Sequence, residues 1–183
     1  RPRFTELTIF GGHVNNVTYI RYAESARVNW AQQVALHVDA AHKQEWRELV
    51  SSRGVGLILR SMQTDYKFPM TWPDRVTVYH KLRSSPSDEA DSFTLDVMIL
   101  SEVHQRPAAR CVEDVVMYDY RQSRRTSLPP FMRHVFTQTF QQQEAEKQAY
   151  REQIHSLTQR VEGLERETWN HEDAKENLGR VEM

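Results

Sequence analysis

A chain of 183 residues, 39% hydrophobic and 27% charged, carries enough apolar material for one compact core and an appendage. Its 24 basic and 25 acidic residues are interspersed and leave a formal net charge of −1, so the charge balance points to neither nucleic acid nor an acidic partner. No apolar run approaches the roughly 20 residues that span a bilayer, and a single cysteine, Cys111, excludes an intramolecular disulfide and fits a reducing compartment. The chain begins Arg1-Pro2-Arg3 without methionine, which predicts a processed or trimmed product from which any targeting signal once upstream is gone.

Arg3 to Phe10 alternates weakly and predicts a short strand, which Gly11-Gly12 breaks. The polar step His13-Val14-Asn15-Asn16 offers asparagine oxygens to the free N–H groups of a helix start. Tyr19, Ala23, Ala26 and Trp30 then recur at spacings of 4, 3 and 4, the stripe of an amphipathic helix over about Asn16 to Val34. A second helical stretch is expected from about Asp39 to Val50. After Gly54 the pattern turns extended: Val55 to Lys67, Arg75 to Arg83, Phe93 to Val103 and Ala108 to Tyr120 read as four strands. Phe68-Pro69, Trp72-Pro73-Asp74, a polar loop with Pro86 and His104 to Pro107 separate them. A strand, a long helix and then consecutive strands joined by short loops make an α+β domain with an antiparallel sheet, closing near residue 130.

Residues 131–183 form a different region. Beyond Pro129-Pro130, Phe131 to about Trp169 reads as one long helix. Tyr150, Ile154, Leu157, Val161 and Leu164 follow the 4-3-4-3 spacing of a coiled coil. Only about two heptads conform and Gly163 interrupts near their end, too short a stretch to pair stably alone, so the helix is expected to dock on something, a partner protein being one choice. The polar residues after Trp169 are expected to fray.

The chemistry concentrates in Gly12 to Arg27. A glycine turn feeding a helix N-terminus presents unsatisfied N–H groups and the positive end of the helix dipole. Such a terminus can stabilise the oxyanion formed when a thioester carbonyl is attacked. Gly12, His13, Asn15 and Asn16 stand at that mouth; capping and turn formation alone are the other account of them. Histidines elsewhere are too scattered for a metal-ligand pattern, and no phosphate-binding or dinucleotide fingerprint occurs.

The run Gly12-His13-Val14-Asn15-Asn16, then Tyr19, then Tyr22, Glu24, Ala26 and Arg27, resembles the acyl-CoA thioesterases of the 4-hydroxybenzoyl-CoA thioesterase superfamily. Phe68-Pro69 with Trp72-Pro73-Asp74-Arg75-Val76 looks like a shortened form of that family's strand connection. The resemblance covers about residues 5 to 135. It implies a hotdog fold, an antiparallel sheet of about five strands wrapped around one central helix, usually as a dimer with sheets joined edge to edge. It also implies an acyl-CoA or acyl-carrier-protein thioester as substrate, no metal or redox cofactor, and an active site near the helix N-terminus. Gly12, Asn15, Asn16 and Tyr19 would bind substrate there, and His13 and Glu24 would be catalytic. A mitochondrial or cytoplasmic address goes with the resemblance.

One departure stands against it. The family usually carries an aspartate four residues before the histidine, and here that slot is Ile9, which can neither take a proton nor attack a carbonyl. Glu24 on the helix and Glu6 before the turn are the conceivable substitutes, with Glu24 alternatively paired to Arg21 or Arg27 at helical spacing; His13 acting alone is a third possibility. Three functions stay open: thioester hydrolysis, a catalytically impaired assembly subunit, and a module that holds an acyl chain without cleaving it.

Overall fold

The computed structural model describes residues 9–10, 12–51 and 53–170. Two compact units divide the chain, Arg1–Gln141 and Gln142–Met183. The predicted strand over Arg3 to Phe10 lies mostly outside the described residues. Its last two residues, β1 (Ile9–Phe10), pair antiparallel with β2 (His13–Val14) in a small hairpin, with Ile9 opposite Val14 and Phe10 opposite His13. The glycine step is therefore the turn of a hairpin, and Gly12 sits there at φ +86°, a region that favours glycine.

Helix α1 (Asn16–Gln33) follows at once, with Asn15 as its N-cap: the side-chain oxygen of Asn15 accepts from the Val17 N–H at 3.0 Å. The expected stripe faces inward, with Tyr19 and Ala23 buried and Ala26 and Trp30 half-buried. A π-helical turn (Val34–Val38), a 3₁₀ turn (Ala40–His42) and α2 (Lys43–Glu48) make up the second helical stretch.

Four long strands then form the sheet: β3 (Val55–Tyr66), β4 (Val76–Leu82), β5 (Ser92–Ser101) and β6 (Arg106–Asp119), in the spatial order β3-β6-β5-β4. The fifth strand is not the N-terminal one but a two-residue piece, β7 (Arg124–Arg125), paired to the end of β6. All pairings are antiparallel, with register slips at Leu59/Ser61 and Ile99/Leu100. Strict alternation in β5 turns Phe93, Leu95, Val97 and Ile99 inward. On β6, Cys111, Glu113, Val115 and Met117 are buried in the same alternating manner. Helix α1 packs against β4 and β5, so the sheet and helix bury their apolar faces on each other.

Cys111 is buried, its thiol 3.6 Å from the Thr64 hydroxyl across the β3–β6 pair, and burial pushes its pKa up. Helix α3 runs from Pro130 to Thr168. In the first unit its opening turns bury Met132, Val135 and Phe136, with Phe136 against Phe93 and Trp30. In the second unit Tyr150, Ile154, Leu157, Val161 and Leu164 are all exposed. The polar stretch expected to fray lies, from residue 171, outside the described residues. Among the described residues no helix is long and apolar enough to cross a membrane.

Candidate active site

The hairpin β1–β2 delivers the chain to the start of α1, and its position is pinned from the opposite side of the domain. The Val14 N–H donates to the Met70 carbonyl at 2.8 Å. Tyr19, one turn into α1 and buried, donates its hydroxyl to the Phe68 carbonyl at 3.3 Å and accepts from the Met70 N–H at 3.1 Å. Tyr66, at the end of β3, meets the edge of the Tyr19 ring at 5.3 Å and donates to the Asn16 carbonyl at 3.3 Å. Burial, then the neighbouring Cys111 and Tyr19, raise the Tyr66 pKa, which keeps this phenol protonated and able to donate.

Between these two walls lies an open groove of about 290 Å³, with His13, Val14, Asn16 and Tyr19 on the helix side and Tyr66, Lys67, Phe68 and Pro69 on the strand side. The ring nitrogen Nδ1 of His13 lies 3.1 Å from the Val14 carbonyl. A carbonyl only accepts, so this bond requires Nδ1–H and leaves Nε2 as the basic nitrogen. In the first turn of α1 the Val17 amide is taken by the Asn15 side chain and the Thr18 amide by the Asn15 carbonyl at 2.9 Å. The amide of Asn16 has no partner among the described residues, and Asn16 lines the groove. A hydrogen-bond donor at the positive end of a helix, a basic imidazole nitrogen and an apolar wall of Val14, Phe68 and Pro69 thus share one cleft. That combination suits a reaction in which negative charge develops on an oxygen.

The structure brings together His13, Asn16 and Tyr19, with Gly12 and Asn15 adjoining them along the chain. It does not bring in Glu24, which is exposed on α1 eight residues beyond Asn16, roughly 12 Å along the axis. Arg27 pairs not with Glu24 but with Glu113 of β6. Glu6 lies outside the described residues. No carboxylate lines the groove, so the hairpin that carries Ile9 opposite Val14 has no acidic replacement there among the described residues. Tyr66 and Lys67 escaped sequence reasoning because they approach the helix start from 50 residues away; only Phe68-Pro69 marked that segment as notable.

A larger surface concavity, about 480 Å³, is lined by Arg47, Glu48, Ser51, Arg53, Gly54, Arg121 and Gln44. It surrounds the C-terminal end of α2 and is lined mostly by charged and polar side chains, without the apolar wall and helix N-terminus of the smaller groove, which is the better candidate for chemistry on an acyl group. Among the described residues no three His, Cys, Asp or Glu side chains are grouped to hold a metal ion.

A second polar cluster lies inside the core. Arg27 Nη1 is 2.7 Å from Glu113 Oε1, and His80 Nε2 is 3.8 Å from Glu113 Oε2, with Glu113 fully buried and the His80 side chain only 2% exposed. The Arg27–Glu113 contact is close in distance, yet none of these buried atoms has a well-aligned hydrogen bond, so that pair is held by charge more than by directed bonds. Burial, reinforced by the Arg27 charge, lowers the His80 pKa to about 4 and keeps the ring neutral. Burial pushes the Glu113 carboxyl up, Arg27 pulls it back and Glu24 adds to the rise. The sequence held a signal for this cluster: Glu113 and His80 occupy inward positions in otherwise apolar alternations on β6 and β4.

Comparison with known proteins bears on the same stretch. Among curated protein sequences none matches this chain. Solved structures do match in fold. A thioesterase from Thermus thermophilus, complexed with coenzyme A and Zn, shares 22% identity at a TM-score of 0.52, over 68% of this chain and 79% of its own. A 1,4-dihydroxy-2-naphthoyl-CoA thioesterase from Synechocystis shares 17% at a TM-score of 0.57, over 74% and 91%. A Staphylococcus aureus protein in complex with CoA shares 13% at 0.58, over 76% and 82%. These likenesses establish the hotdog fold. The family model of the thioesterase-like superfamily matches residues 4–136, a span holding the hairpin, α1, the whole sheet and the groove. This chain belongs to the thioesterase-like superfamily.

Proposed function

We propose that the chain is an acyl-CoA thioesterase that hydrolyses an acyl thioester to a carboxylic acid and a thiol in the groove at the start of α1. The observation that carries this reading is the pairing, in one cleft, of an Asn16 amide that has no partner among the described residues with a His13 whose Nε2 is left basic. A thioester carbonyl set against Asn16 would have its oxygen polarised by that N–H and by the helix dipole. His13 Nε2 takes a proton from water as the water oxygen bonds to the carbonyl carbon. When the tetrahedral oxyanion collapses, the C–S bond breaks and the imidazolium returns the proton to the leaving thiolate. Val14, Phe68 and Pro69 would flank the acyl group. Tyr19 and Tyr66 position rather than react: their hydroxyls bond to backbone on both walls. The substrate would be an acyl-CoA or an acyl-carrier-protein thioester, and the chemistry needs no metal or redox cofactor.

The outer edges of β3 and β4 are unpaired among the described residues, which favours a second copy joined edge to edge. A reducing compartment, cytoplasmic or mitochondrial, suits a chain with one cysteine.

The test is thiol release from short, medium and long acyl-CoAs. His13→Ala is expected to lower kcat by about 10² to 10⁴. Glu24→Gln is expected to change turnover by no more than a few-fold, since its carboxylate lies outside the groove; a large loss would make the helix glutamate the missing acid–base group. Ile9 in the usual carboxylate slot, with no acid lining the groove, supports a second reading, a non-catalytic assembly or acyl-holding subunit. Folded protein that binds acyl-CoA or nothing at all, and turns over none of the panel, would establish that second reading in place of the first.

A further inference from the structure

The exposed stripe of α3 is chemically specific about what covers it. With Ile154 and Val161 at a and Leu157 and Leu164 at d, Tyr150 occupies the preceding d position, and all five are exposed. β-branched residues at a with leucine at d favour two parallel strands over higher assemblies. Gly163 then falls at c, away from the seam, with nothing within 4 Å of where a Cβ would sit, so it weakens the helix slightly without opening the seam.

The flanking charges choose the partner and the direction. The g positions hold Glu146, Gln153 and Arg160, and the e positions hold Arg151, Thr158 and Glu165. In a parallel, in-register pair each g residue faces the e residue five positions on in the other helix. Glu146 then meets Arg151 of the second copy, and Arg160 meets Glu165, an attraction repeated on the other side by symmetry. An antiparallel pair with its apolar layers aligned would set Arg160 against Arg160 at its centre and keep an Arg151–Glu165 attraction, but would lose the Glu146–Arg151 and Arg160–Glu165 pairs. The pattern is complementary to itself in one direction and self-repelling at its centre in the other. We propose that α3 pairs with the same helix of a second copy of this chain as a short parallel two-stranded coiled coil, through Tyr150, Ile154, Leu157, Val161 and Leu164.

Single cysteines in the full chain test this directly. Leu157→Cys and Leu164→Cys are compared under mild oxidation with Gln159→Cys, an f position facing away from the seam; Cys111 is buried and contributes no background. Interchain disulfides are expected at 157 and 164 and not at 159. Arg160→Glu places like charges across the seam and should lower cross-linking of the Leu157→Cys chain several-fold, and adding Glu165→Arg should restore it. Circular dichroism on every variant separates loss of pairing from loss of the helix. Equal yields at 157 and 159, no response to charge reversal, or cross-links only between Leu157→Cys and Val161→Cys chains would overturn the proposal; the last result would make the pair antiparallel. A chain that stays monomeric at micromolar concentration would overturn it too, leaving the stripe to a different protein. None of these outcomes depends on whether the groove hydrolyses thioesters.

Discussion

His80 is held neutral in the core beside Arg27 and Glu113, with its pKa lowered to about 4. In the unfolded chain the same imidazole titrates near 6.5, so between those values the unfolded state binds more protons and stability rises with pH. The contribution is complete above pH 6.5 and is lost as pH falls through that value toward 4, an effect of roughly 3 kcal/mol. Glu113 runs the other way: a carboxyl raised by burial stabilises at low pH and loses that contribution as pH climbs past its ordinary value of 4.5. His80→Phe should therefore flatten the acid side of the profile. Urea midpoints measured from pH 4 to 7 check this, and parallel slopes for wild type and variant would show that the ring is not the group responsible. Nothing in this depends on the groove, so thiol release at pH 7 would be a separate question. The arrangement also explains why Arg27 does not serve Glu24, a surface carboxylate at helical spacing: the buried acid has the stronger claim on a half-buried guanidinium.

At the scale of elements, the start of β3 is set by close approach. A Cβ on Gly56 would lie 2.9 Å from the Ser51 carbonyl oxygen, 2.9 Å from the Tyr120 ring and 3.2 Å from the Leu49 carbonyl oxygen. The two carbonyls are backbone and cannot swing aside, and the Leu57 N–H bonds to one of them at 2.9 Å. Gly56→Ala is expected to cost about 1–3 kcal/mol, while Gly54→Ala, into open space, should stay within about 0.5 kcal/mol. Thermal melts of the pair decide it: equal melting points would mean that the α2–β3 junction yields freely. Sequence reasoning saw the switch from helical to extended pattern after Gly54 but not this contact, because periodicity reports which face is apolar and not how near two backbones come.

For the whole molecule, what could be read from the chain was what repeats along it. Helix α1 was expected from Asn16 to Val34 and spans Asn16–Gln33, since its stripe and its Asn cap are local. The four long strands lie within two residues of their expected limits, the largest shifts being at the β5–β6 turn, where β5 ends at Ser101 and β6 starts at Arg106. The hairpin β1–β2 was hidden because glycines read as breakers do not say what pairs across them, and β7 was too short for any alternation to register. The groove was half legible: His13, Asn16 and Tyr19 lie in one motif, whereas Tyr66 and Lys67 reach it only through the closure of the sheet. The burial of Glu113 was not anticipated; its place in the alternation of β6, not its residue type, is what marks it.

Cys111 gives the domain an internal clock. Its thiol lies across the β3–β6 ladder, buried, with its pKa raised by that burial, so a disulfide reagent cannot reach it until those two strands part. The rate of thiol modification in native buffer should therefore follow the frequency of that opening and become independent of reagent concentration at high reagent. A rate that keeps growing in proportion to reagent and matches a free cysteine would mean that the ladder breathes far more often than its packing suggests.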